Sequence, residues 1–198
     1  MPTRRVKRAE LTTPDLVILS LLDERPRHGY EVNAELERRQ VRDWAGVSRP
    51  QIYYSLDKLA RLRLIRGTAS AEPAEGPDRN VFETTTDGRA ALAEALERGD
   101  WVTGRDRPPF LTWMALSWRA TPGVFKRQLE CRREFLTGEL ARERATLEGV
   151  LAEVGHPHHE AVWMLTLMID QFETELRWLA QLKKEMRRRG PARHPELV

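Results

Sequence analysis

Ser48, Arg49, Pro50 and Gln51 constrain the fold of the residues after them more tightly than any other stretch of the chain. Serine followed three residues later by glutamine is a capping box, and proline is tolerated in a first helical turn, where its missing N–H has no helical acceptor to serve. Ile52, Leu56, Leu59 and Leu62 then recur at spacings of 4, 3 and 3, which is one apolar stripe of a helix. Leu64-Ile65-Arg66-Gly67 comes next, then a polar Pro/Gly/Glu-rich tip from Thr68 to Asn80, then Val81-Phe82-Glu83-Thr84. Two short β-prone runs around such a tip predict a β-hairpin. Thr85 or Thr86 caps another helix through Ala90, Leu92 and Leu96. A capped helix feeding a hairpin and then a helix leaves few possible architectures.

Two helices are expected upstream. Thr13-Pro14-Asp15 starts the first, with Leu16, Ile18, Leu19 and Leu22 at helical spacing, and Arg25-Pro26 stops it. The second runs from about His28 to about Arg39, with Gly29 permitting a tight start and the Tyr30 ring expected in the core. Trp44 to Val47 is expected to be a short linker or strand. Helix, helix, capped helix, hairpin and helix together describe a winged helix-turn-helix whose third helix would enter the major groove.

Asp100 to Pro109 is rich in Gly, Pro and Arg and marks a boundary, so residues 1–99 and 100–198 are expected as two domains. The second half is expected to be helical: a short helix near Phe110–Trp118, a long one from Gly123 to about Val154, and a last one from about His158 to Arg189. In the last, Val162, Leu165, Ile169, Phe172, Leu176 and Leu179 alternate by 3 and 4, the seam of a helix packed on a partner helix. These six are the candidate dimerisation residues. The fold class is thus mainly α with a small hairpin wing, an N-terminal winged helix and a C-terminal antiparallel helical domain.

The charge pattern says what such a fold binds. Lys+Arg is 33 against 30 for Asp+Glu, a formal net charge of only +3. The excess is local. From Ser48 to Gly67, Arg49, Lys58, Arg61, Arg63 and Arg66 face Asp57 alone, and the N-terminal arm holds Arg4, Arg5, Lys7 and Arg8. All but five of the basic residues are arginine, which suits phosphates and guanine edges. Arg49, Gln51 and Tyr54 are the candidate base-edge or phosphate contacts, because glutamine can read adenine and arginine guanine. Tyr53 can either pack inward or reach a phosphate. Lys58 and Arg61 lie later on the helix and point to the DNA backbone, as do Arg4 and Arg5 of the arm. Arg79 is the wing's candidate, among the acidic Glu72, Glu75 and Asp78.

The chain resembles the PadR family of bacterial transcriptional regulators. The resemblance runs through Leu16-Val17-Ile18-Leu19-Ser20-Leu21-Leu22, His28-Gly29-Tyr30-Glu31-Val32, Trp44, Ile52-Tyr53-Tyr54-Ser55-Leu56-Asp57-Lys58-Leu59, Leu64-Ile65 and Phe82 to Leu92. It covers roughly residues 11–95, and the helical second half has the size and order of the longer subclass. It implies a cytoplasmic homodimer joined by the C-terminal helices, binding an inverted repeat of double-stranded DNA. It also implies repression of nearby genes, in many members relieved by a small, often aromatic, ligand. Two positions depart from the family pattern. Arg63 stands where glycine usually ends the third helix, so that helix is expected to end differently. Thr84 stands where an apolar residue is usual.

Five of the six tryptophans lie beyond residue 100. Trp113, Met114 and Trp118, facing Trp163, are the candidate effector pocket, with core or interface packing as the competing reading. His156, His158, His159 and Glu160 read as a helix turn rather than a metal site, and Cys131, beside Arg132 and Arg133, as a half-buried packing residue, with a redox switch as the alternative. A single cysteine permits no intrachain disulfide. No phosphate loop, nucleophile elbow or metal quartet stands in the chain, so no enzyme, cofactor, metal or membrane role is expected. The competing binding class is a winged-helix dimer serving mainly as a protein adaptor or ligand-independent regulator.

Overall fold

A computed structural model describes residues 10–69, 80–104, 108–117 and 120–186. The chain divides into two compact units, one ending at Arg105 and the other starting at Asp106. Among the described residues no helix is long and apolar enough to cross a membrane.

The first unit runs α1 (Thr13–Glu24), β1 (Arg27–His28), α2 (Gly29–Arg38), α3 (Val41–Ala45), α4 (Arg49–Arg61), β2 (Ile65–Ala69), β3 (Asn80–Thr84), α5 (Thr86–Leu96) and α6 (Asp100–Thr103). Its core gathers Ile18, Leu19 and Leu22 of α1, Val32 and Leu36 of α2, Val41, and Ile52, Leu56 and Leu59 of α4 around Ile65. This is the apolar stripe expected of α4, now facing α1. Leu62 is the exception: it leaves the stripe as the helix C-cap and stands exposed.

The antiparallel sheet has the order β1-β3-β2. Ile65 faces Thr84 and Gly67 faces Phe82 across the hairpin, while Arg27 pairs with Phe82 on the other edge. Thr84 is buried, and its hydroxyl donates to the Leu19 carbonyl at 2.9 Å. A hydroxyl in this apolar surrounding is tolerated because it is satisfied. Thr85 is the cap of α5: its Oγ1 accepts from the Gly88 amide at 3.1 Å. Gly88 then lies so close to the end of α4 that a Cβ there would stand 2.1 Å from the Leu64 carbonyl oxygen.

Arg63 overturns one expectation. It takes the left-handed conformation, φ 59°, that glycine usually supplies. The Arg63 amide donates to Ala60 O and the Leu64 amide to Leu59 O, both at 3.0 Å, which is the paired bonding of a Schellman motif. The helix therefore ends in the ordinary way with an unfavourable residue at the cap. Tyr30 overturns another. It is 56% exposed and stacks on the His28 ring at 5.4 Å instead of entering the core. Trp44 lies in neither a linker nor a strand but on α3, and its indole donates to Arg39 O at 3.1 Å. Trp101, grouped by sequence with the helical half, donates to Ala95 O at the end of α5.

The second unit contains α7 (Pro109–Leu116), α8 (Pro122–Val154) and α9 (Glu160–Glu185). Gly155, at φ 77°, caps α8, and the ion pairs Glu130–Lys183, Arg132–Glu175 and Arg144–Glu173 show α9 returning antiparallel along it. The seam spacing on α9 is used within the chain. Leu179, Phe172 and Leu176 pack with Phe125, Leu129 and Leu136 of α8, and Val162 and Leu165 are buried in the single chain. Val162, Leu165 and Leu179, three of the six residues expected at a dimer seam, are buried within the single chain, and Ile169, Phe172 and Leu176 are partly buried. Heptad spacing demands a partner helix but does not say whose, and here Phe172, Leu176 and Leu179 pack with residues of α8.

Candidate nucleic-acid interface

The capping box forms as the sequence requires. The Ser48 amide and hydroxyl donate to Gln51 Oε1 at 2.8 and 2.7 Å, and α4 starts at Arg49. With Ile52, Ser55, Leu56 and Leu59 turned inward, the helix presents Arg49, Gln51, Tyr53, Tyr54, Asp57 and Arg61 outward. Tyr53 is 39% and Tyr54 65% exposed, so Tyr53 does not pack inward. Exposed tyrosine rings on a helix face supply flat, amphipathic contact area.

The outward residues differ in how free they are. Arg49 has no side-chain partner among the described residues, and neither does Arg63. Arg61 pairs with Asp57 at 2.8 Å, but both are exposed, and such a pair exchanges partners at little cost. Gln51 is committed: its carbonyl oxygen serves the cap, which leaves only its NH2 to offer a base, whereas gripping adenine with two bonds needs both groups. Lys58 is committed more strongly. Its ammonium bonds the fully buried Asp15 carboxylate at 2.5 Å and Glu10 O at 3.0 Å. The expected backbone-contacting lysine is instead the strut between α4 and the start of α1. Burial alone would push the Asp15 carboxyl up, but Lys58, Thr12 and Ser55 bond it and hold it below its ordinary value.

Sequence reading missed Arg42. It stands on α3 and lines one shallow cleft with Arg49, Asn33, Leu36 and Val47. A five-residue helix is too short to show a period, so nothing in the sequence announced that Arg42 and Arg49 would be neighbours. Along α2 and the end of α1 arginines are paired with carboxylates. Arg39 bridges Glu24 and Glu35, Arg38 joins Glu35, and the buried Arg27 joins Glu24. Arg4, Arg5 and Arg79 lie outside the described residues.

Residues 18–94 match the transcriptional regulator PadR-like family. The chain carries a PadR-like domain. Its fold extends the likeness over both units. Bacillus subtilis PadR in complex with operator DNA superposes with a TM-score of 0.74 at 16% identity, covering 87% of this chain and 97% of that one. A PadR-like transcriptional regulator from Bacillus cereus gives 0.68 at 17% identity, covering 89% and 98%. Bacillus subtilis PadR in complex with p-coumaric acid gives 0.60 at 16%, covering 86% and 96%. No curated protein matches the chain. The PadR-like fold, a winged helix followed by a helical C-terminal region, is thus common to all of them.

In the C-terminal unit the expected aromatic grouping is redistributed. Trp113 is stacked between Phe110 at 5.6 Å and Phe125 at 5.5 Å, and Met114 packs in the same core. Trp118 lies outside the described residues. Trp163 is exposed near the start of α9, whereas Trp113 packs with residues around Leu179. At about 1.5 Å per residue those points on α9 are roughly 24 Å apart, so Trp163 does not face Trp113. Composition had shown where the rings lie in the chain but not their directions.

Proposed function

We propose that the protein is a dimeric DNA-binding transcriptional regulator that represses transcription and is released by a small aromatic ligand, with α4 as the helix that enters the major groove. One observation carries the reading. The outer face of α4 holds an uncommitted arginine and two exposed tyrosines at its N-terminal half, on a helix whose other face is locked into the core. Recognition helices contact base edges through their N-terminal residues, and arginine there can grip guanine with two parallel bonds. Arg42, Arg61 and Arg63 supply phosphate neutralisation around it. The operator complex of a protein of the same fold supports the reading.

The dimer draws support from apolar surface left open on the second unit. Trp163 and Leu167 stand one turn apart on α9, 55% and 59% exposed, and Phe135 is 54% exposed on α8. Exposed apolar surface of this kind marks association. Two such domains about a twofold axis would read an inverted repeat. The p-coumaric acid complex of a like-folded protein supports the ligand.

The test is fluorescence anisotropy with duplex DNA from upstream of the protein's own gene. The double variant Arg49→Ala/Tyr54→Ala should abolish retention of that duplex, and the wild type should weaken steeply as salt rises. Specific binding undiminished in the double variant would remove α4 from the interface. Binding indifferent to salt would favour a protein adaptor.

A further inference from the structure

Three histidines stand at the turn between α8 and α9, with the ring of His156 centred 6.5 Å from those of both His158 and His159. Two of the three hold the turn together. His156 Nδ1 accepts from the His158 amide at 3.2 Å, and His159, the N-cap of α9, accepts from the Ala161 amide at 3.1 Å through its own Nδ1. A neutral imidazole that accepts through Nδ1 carries its hydrogen on Nε2, so a further proton can go only to Nδ1. Protonation and these amide bonds therefore exclude one another.

The charges around the turn come from the two helices it joins. Between Arg144 of α8 and Arg177 of α9 the chain holds no lysine or arginine, and both of those arginines are turned to Glu173. α7 packs at the other end of the pair, with Phe125 and Leu179. Glu148 and Glu153 near the end of α8 and Glu160 at the start of α9 are exposed carboxylates that favour charged imidazoles. The amide bonds, the positive end of α9 and the closeness of the three rings favour neutral ones. The carboxylates move the pH at which protons bind, not what the protons do on binding. Histidine is the side chain whose charge ordinarily changes between about pH 5 and 8.

We infer that this turn is a proton-operated latch, closed while His156 and His159 are neutral and opened when they are protonated, and that opening weakens association through the face of α9 that begins there. The first turn of α9 starts on the same residue as the latch: the Trp163 amide donates to His159 O at 3.1 Å. Trp163 and, one turn on, Leu167 are the exposed apolar residues of that face. When Nδ1 of His159 takes a proton, the Ala161 amide loses its acceptor and a positive charge stands at the positive end of the helix. The first turn then frays and the Trp163 ring loses its fixed place. The effect on association rests on the proposed dimer, but the latch itself does not.

The test compares the full chain with its His156→Asn/His159→Asn variant at pH 8 and pH 5.5, by NMR of the backbone amides and by sedimentation. Asparagine accepts the same amide bonds through its side-chain oxygen and takes no proton, so the variant keeps the turn closed at both pH values. In the wild type the His158 and Ala161 amide resonances should move with the imidazole titration, and the dimer should weaken about tenfold at pH 5.5. The variant should lose both changes although it keeps His28, His158 and His194. Wild-type amides that stay in place, a variant that responds as the wild type does, or a wild-type dimer as tight at pH 5.5 as at pH 8 would each overturn the inference. A wild type that is monomeric at pH 8 would overturn the proposed dimer instead, and the two amides would still decide the latch.

Discussion

Lys58 and Asp15, forty-three residues apart, join the middle of α4 to the first turn of α1 through a 2.5 Å bond, with the carboxylate fully buried and the ammonium mostly so. Removing one member of a buried pair strands the other charge and costs about 3–5 kcal/mol. Lys58→Met should therefore lower unfolding stability by about 3 kcal/mol. The double variant Asp15→Leu/Lys58→Met should recover most of that, short of about 1 kcal/mol for the lost cap at Thr12. Urea denaturation followed by circular dichroism measures both. A Lys58→Met protein as stable as wild type would show the strut to be idle.

Gln51 and Arg49 should separate cleanly. Gln51→Ala removes the acceptor of the Ser48 amide and hydroxyl, so it should cost about 1 kcal/mol of stability while leaving base preference unchanged. Arg49→Ala touches no internal partner among the described residues, so it should leave stability alone and weaken DNA by about 1–3 kcal/mol. Thermal melts beside binding to mutated operators distinguish the two. A changed base preference in Gln51→Ala would return that side chain to the interface.

What could be read from sequence followed physical length scale. The cap, stripe and end of α4 sit within one helix, so spacing and residue chemistry were enough to place it. The two-residue β1 and five-residue α3 escaped because neither is long enough to repeat. The α9 seam was legible as a seam, but its partner, α8, is a fact of tertiary folding. Gln51 and Lys58 had the chemistry of DNA contacts. Only the geometry shows that the cap had already taken the Gln51 carbonyl oxygen and Asp15 the Lys58 ammonium.

Gly88 is required by proximity, not by backbone conformation. Its Cβ position meets a backbone oxygen at 2.1 Å and Thr84 Cγ2 at 2.9 Å, and the oxygen belongs to Leu64, which also accepts the Thr85 amide. Backbone held on both sides cannot yield cheaply. Gly88→Ala should therefore destabilise the first unit by about 3 kcal/mol, at the upper end of overpacking costs. Denaturant unfolding checks this, and a neutral substitution would mean that the α5 cap and the α4 end can move apart.

Arg63 offers the opposite case. A non-glycine residue in the left-handed region carries a strain of about 1–2 kcal/mol, and the side chain has no described partner to offset it. Arg63→Gly should raise stability by about 1 kcal/mol, the relief of strain less the greater entropy of an unfolded glycine. If Arg63 neutralises a phosphate, the same variant will bind DNA more weakly, with the slope of log affinity against log salt shallower by about one. A variant less stable than wild type would show that the arginine holds the helix end.

Acid should unfold the first unit through carboxylates that the fold keeps ionised. Arg38, and secondarily Arg39, hold Glu35 at about 2 from an ordinary 4.5, against the opposing effect of burial. Arg39 chiefly, with Arg27, holds Glu24 down. Asp15 is held down by Lys58, Thr12 and Ser55 in spite of its burial. Each folded-state value lies below the unfolded one, so each contribution is complete above the unfolded value and is lost as pH falls through the folded one. Melting temperature should be insensitive to these groups near neutrality, begin to fall below about pH 4.5 and keep falling toward pH 2. Salt should weaken the partly exposed Glu35–Arg38 pair and leave the buried Asp15 contribution in place. Glu35→Gln should make the decline shallower without moving the neutral-pH baseline upward. Melts constant down to pH 3 would mean that these pairs persist in the unfolded chain or contribute nothing to the fold.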